Sequence, residues 1–105
     1  MENVDFARVF DEIADLLEIL EANPFRVRAY RMAARRVESW REPIATVAER
    51  GAKALAEIPG IGEDLAAKIV ELAGTGRLAF LEELRRKVPA GLAAMLRVPG
   101  LGPKR

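Results

Sequence analysis

Two short runs, Pro59-Gly60-Ile61-Gly62 and Pro99-Gly100-Leu101-Gly102, carry the spacing in this chain that points to chemistry. Each follows an apolar residue, Ile58 or Val98. Proline fixes φ and closes the preceding helix, while glycine tolerates positive φ and leaves no Cβ in the way. The apolar residue between the glycines turns back toward the core. Such a turn bares N–H groups at the start of the next helix, a ready site for an anion, above all a nucleic-acid phosphate. The amides of Gly60, Gly62 and Glu63, around Ile61, are the candidates.

Pro-Gly alone signals only a turn, so the residues after it matter. Glu63-Asp64-Leu65-Ala66-Ala67-Lys68-Ile69-Val70 sets Leu65, Ala66, Ile69 and Val70 near one helical face, with small residues that permit close packing. Hairpin and helix together resemble the helix-hairpin-helix motif, a sequence-independent binder of the DNA backbone. The first copy spans about residues 52–73. The second, at 98–105, reaches Pro103-Lys104-Arg105 with no helix following, and the expectation is that the chain is a piece of something longer.

Other chemistries are narrowed by composition. The chain has no histidine and no cysteine, which excludes thiolate or imidazole zinc sites, cysteine nucleophiles and histidine-based triads. Acid–base work would fall on carboxylates, lysine or Tyr30. The net charge of +1 conceals a split: residues 2–22 hold seven acids against Arg8, whereas Arg26, Arg28, Arg31, Arg35, Arg36 and Arg41 face only Glu38. A basic face on one side follows. Arg26, Arg28, Arg31 and Arg35 have the bidentate geometry that suits phosphate. The alternative is a solvated helix face that pairs with the acidic first helix.

The elements that would position these groups are helices. With 105 residues, half of them hydrophobic, the chain fits one globular domain at 1–97. Val4, Ala7, Phe10, Ile13, Leu17 and Leu20 predict a first helix over about 3–21. Asn23-Pro24 reads as an N-cap and first helical residue of a second helix, which runs to about Trp40 and buries Ala29, Tyr30, Ala33, Ala34 and Val37. Short helices follow from Pro43 to about Arg50 and from Ala52 to Glu57, then the helix after the hairpin, capped at Gly74-Thr75-Gly76. Two more span Ala79–Lys87 and Pro89–Arg97. No run alternates with period two, so the fold class is all-α. An acidic amino terminus and the lack of an apolar run of about 18 residues predict a soluble, cytoplasmic, monomeric protein with no membrane partner.

With those residues in hand, the chain resembles the amino-terminal domain of family X DNA polymerases, the bacterial members above all, which are relatives of polymerase beta. The resemblance covers essentially all 105 residues. It rests on Asn23-Pro24-Phe25-Arg26-Val27-Arg28-Ala29-Tyr30-Arg31-Met32-Ala33-Ala34, on Ile58 through Ile69, on Gly74-Thr75-Gly76-Arg77 and on Val98 through Pro103. It implies a module that grips gapped, nicked or 5′-ended DNA for a repair polymerase. The magnesium-binding carboxylates of that polymerase lie farther along, as does the nuclease domain usual in bacterial members. It also implies K+ or Na+ held by main-chain carbonyls of Ala56, Ile58 and Ile61, and backbone contact near Arg77.

In some members a lysine at the position of Lys68 removes a 5′-deoxyribose phosphate through a Schiff base, beside a tyrosine matching Tyr30. Such a lysine must be neutral to attack. Asp64, four residues earlier, favours the charged form. Phe25, Ala56 and Asp64 also stand where polymerase beta carries His or Lys. Phosphate contact or pairing with Asp64 is therefore the preferred role of Lys68, with lyase chemistry as the alternative. Tyr30 either stacks on the DNA or packs in the core, and Trp40 packs. A helical protein-interaction domain whose hairpins are connectors remains the third reading.

Overall fold

The structure, a computed structural model, describes residues 1–88. The helix expected over Pro89–Arg97 and the second hairpin lie outside the described residues. Six helices follow in order: α1 (Asn3–Ile19), α2 (Pro24–Ser39), α3 (Ile44–Glu49), α4 (Ala52–Ala56), α5 (Glu63–Thr75) and α6 (Ala79–Lys87). No strand occurs among the described residues, and none of their helices is long and apolar enough to cross a membrane. The all-α expectation holds.

Helices α1 and α2 form the main packed pair, joined by a short link. The link begins with a left-handed helix end: Ala22 N–H donates to the Leu17 carbonyl and Glu21 N–H to that of Glu18. Glu21 supplies the positive φ, at 57°, and so α1 stops at Ile19 rather than at Glu21 as the sequence predicts. The Asn23 carboxamide then accepts from Phe25 N–H at 2.8 Å, with Pro24 at the first helical position. Helices α4 and α5 form the second pair, and α3 and α6 tie the two pairs together.

Helix α1 is covered on more than one side, because α2, α3 and α6 all reach it. Its buried arc is accordingly wider than the predicted stripe. Phe6, Ala14 and Leu16 join Ala7, Phe10, Ile13 and Leu17, while Val4 and Leu20 stay partly exposed. On α2 the buried face is Val27, Tyr30, Ala33, Ala34 and Val37; Ala29, expected inside, is exposed. Val27, Tyr30, Ala34 and Val37 step by three and four residues, and Ala29 falls off that stripe.

Asn3 fastens α1 to the link between α2 and α3 and to the start of α3. Its Nδ2 donates to the carbonyls of Trp40 and Glu42 at 3.3 and 3.0 Å, and its Oδ1 accepts from Ile44 N–H at 2.7 Å. The last bond caps α3, whose own N-cap, Pro43, has no side chain able to do so. Asn3→Ala breaks all three bonds in a part-buried setting, and urea unfolding is expected to show a loss of about 1–3 kcal/mol.

Candidate nucleic-acid interface

The turn between α4 and α5 is held from within. Ile58 and Ile61 are 3 % and 2 % exposed, inserted beside Leu55 and Leu65 of the flanking helices. Ile61 N–H donates to the Ile58 carbonyl at 2.9 Å, and Gly60 has φ +89°. Proline second and a positive-φ glycine third is the arrangement of a type II turn. With both isoleucines anchored, Pro59, Gly60 and Gly62 face solvent.

Helix α5 has Gly62 as its N-cap and so lacks a side-chain cap. The N–H groups of Gly60, Gly62 and Glu63 make no hydrogen bond among the described residues. A Cβ added at Gly62 would meet nothing within 4 Å, and its φ of −83° is open to any residue. Packing in the free protein therefore does not demand glycine there. The carbonyls of Ala56 and Ile61 likewise accept no hydrogen bond among the described residues, while that of Ile58 spends one of its two lone pairs on the turn.

One turn along α5, Lys68 Nζ lies 2.9 Å from both oxygens of Asp64 and 4.8 Å from the centre of the Phe80 ring. Arg26 approaches the same ring, its Cζ 5.8 Å from the centre. Phe80 stacks on Tyr30 (centroids 6.1 Å apart), and Tyr30 meets Phe10 edge-on at 5.9 Å. Tyr30 is 3 % exposed, and its hydroxyl has no hydrogen-bond partner among the described residues. The ring thus belongs to the core and offers no open face for stacking. Phe80 links α2, α5 and α6 at this spot, and sequence reasoning missed it. No local pattern marks it, because its place depends on how α6 returns across the other two helices.

The arginines separate into two sets. Arg31 is engaged by α1: Nη2 lies 2.8 Å from Asp15 and 2.5 Å from Glu18, with Asp11 at 3.9 Å. Burial works against its charge, yet the hydrogen bonds with Asp15 and Glu18 hold its pKa above the ordinary value. For Arg31 the pairing reading prevails. Arg28 and Arg35 make no ion pair among the described residues and line an open groove with Pro24, Val27 and Met32. Phe25, beside Arg26, is 76 % exposed. Arg77 is bound to Glu82 through two hydrogen bonds of 2.8 and 3.1 Å. Trp40 packs against the core, and the Arg41 guanidinium sits 5.3 Å from its ring centre.

The family profile described as a helix-hairpin-helix domain matches residues 1–78. Over 105 residues the chain is 32 % identical to the DNA polymerase/3′-5′ exonuclease PolX of Bacillus subtilis (strain 168). The match takes in 100 % of this chain and 18 % of that relative.

Two outcomes follow from the division of the arginines. Arg31→Ala is expected to lower stability by about 1 kcal/mol in urea unfolding, since it strips a cation from three acids. The hydrogen bonds from Arg77 hold the Glu82 carboxyl below its ordinary pKa. In Arg77→Ala the Glu82 side-chain carbon resonance is therefore expected to titrate at higher pH than in the parent.

Proposed function

The chain belongs to the helix-hairpin-helix domain family, and we propose that it binds DNA without regard to sequence, at gaps, nicks or 5′ ends, as the amino-terminal module of a family X repair polymerase. The observation that carries this reading is the turn at 58–63, where uncommitted amides face solvent over glycines that nothing crowds. Backbone N–H groups and the positive end of the α5 dipole suit a phosphate oxygen. Arg26, Arg28 and Arg35 add cations that form no direct ion pair among the described residues, although Arg35 acts on Asp11 at longer range. Made to phosphate oxygens, contacts of these groups position the protein and leave sequence unread.

The carbonyls of Ala56 and Ile61, with the second lone pair of Ile58, suit a K+ or Na+ ion that would bridge the turn to a phosphate. Nucleotide addition, with its Mg2+, would belong to the remainder of such a polymerase. The lyase reading draws support from the low exposure of Lys68 and its place against Phe80, the ring that stacks on Tyr30. The carboxylate of Asp64 opposes it, because a paired ammonium is a poor nucleophile. Borohydride treatment with a 5′-deoxyribose-phosphate end is accordingly expected to trap no adduct that Lys68→Ala abolishes.

Fluorescence anisotropy with a gapped, 5′-phosphorylated duplex tests the main reading. If about four phosphates are neutralised, affinity is expected to fall on the order of 100-fold between roughly 50 and 200 mM salt, and equally for scrambled sequences. Binding that ignores salt would contradict a backbone binder. Equal affinity for an intact duplex would contradict recognition of gaps.

A further inference from the structure

Lys68 stands one helical turn beyond the bare amides, where a strand leaving the hairpin would next need a cation. Its ammonium is nevertheless turned inward. The Lys68 side chain is 15 % exposed and that of Asp64 77 %, with both carboxylate oxygens 2.9 Å from Nζ. The Phe80 ring covers another side at 4.8 Å. An approaching phosphate therefore meets the carboxylate before the ammonium. Glu63 adds a second acid in the same first turn, yet its side chain makes no hydrogen bond or ion pair among the described residues.

An acid in the first turn has an ordinary role, since it stabilises the helix through the dipole. Glu63 fills that role without touching a cation. The position of Asp64 does something more. We infer that Asp64 masks Lys68, competing with DNA phosphate for the ammonium, so that Lys68 joins the interface only where a phosphate displaces the carboxylate. The inference rests on the DNA-binding reading above and adds to it a residue that holds affinity down. Two independent features make the displacement feasible. Asp64 is exposed enough to swing into water, and Phe80 keeps the ammonium near its place when the carboxylate leaves.

The test compares the whole chain with Asp64→Asn, Asp64→Ser, Glu63→Gln, Lys68→Met and the double variant Asp64→Asn/Lys68→Met. Each is titrated against a gapped, 5′-phosphorylated duplex at several salt concentrations, with circular dichroism to check helix content. Freeing Lys68 is expected to tighten binding about three- to five-fold and to steepen the log–log salt dependence by up to about one unit, the signature of one added phosphate contact. Glu63→Gln should give a smaller gain and no change of slope. In the Lys68→Met background the Asp64 effect should vanish.

A gain that persists without Lys68, or that Glu63→Gln matches, would reduce Asp64 to general repulsion and overturn the inference. So would wild-type binding that neither Asp64 variant changes. If no protein in the series bound DNA even at low salt, the DNA-binding reading itself would fall, and the masking role with it.

Discussion

Burial of Ile58 and Ile61 on either side of Pro59-Gly60 is the constraint on which the rest of the hairpin depends. Both side chains enter the core that α4 and α5 share, so the two residues between them must pass outside. Pro59 sets φ for the turn, Gly60 takes the φ of +89° that a side chain would oppose, and α5 has Gly62 as its N-cap with no side chain to cap it. The apolar anchors thus produce the polar opening. A core contact that stabilises the fold is also what exposes the amides.

Around that turn the charges are sorted by what they touch. The acids of α1 take up Arg31, and Glu12 takes up Arg85 of α6 through hydrogen bonds of 2.6 and 2.7 Å. These pairs join α1 to its neighbours and leave Arg26, Arg28 and Arg35 outside any acid pairing among the described residues. Near-neutral net charge is therefore compatible with a locally basic surface, because Asp11, Asp15, Glu18 and Glu12 of α1 are engaged by Arg31 and Arg85. At Phe80, Lys68 and Arg26 converge on one ring from α5 and α2, which brings the hairpin helix and the basic helix to a common edge.

Much of this was legible in the chain because it is written in local chemistry. Asn23-Pro24 starts α2, Gly76 ends α5 in the left-handed region, and Ala79–Lys87 is helical over its full predicted length. The hairpin was legible for the same reason: proline and glycine restrict φ wherever they stand. What escaped depends on neighbours distant in sequence. The period of α2 alone does not separate Val27 from Ala29, and only the position of α1 selects the former. Arg28 and Arg31 look alike on a helical wheel, but Arg31 borders the buried face within reach of Asp15 and Glu18. Phe80 and the Arg77–Glu82 pair required the path of α6, and Glu21 showed no glycine-like signal for the left-handed end it provides. The Lys68–Asp64 pair, by contrast, lies at a spacing of four on one helix and could be read directly.

Everything proposed for this domain depends on DNA coming to the open turn. The direct measurement is an amide NMR titration of the protein with gapped duplex in low salt, followed residue by residue. The account predicts that the Gly60, Gly62 and Glu63 signals shift or broaden first and furthest, with Ile58 and Ile61 following as their peptide groups respond. If those signals stayed still while the duplex bound through the Arg28–Arg35 face of α2, the hairpin would be only a connector between helices and not the DNA-binding element.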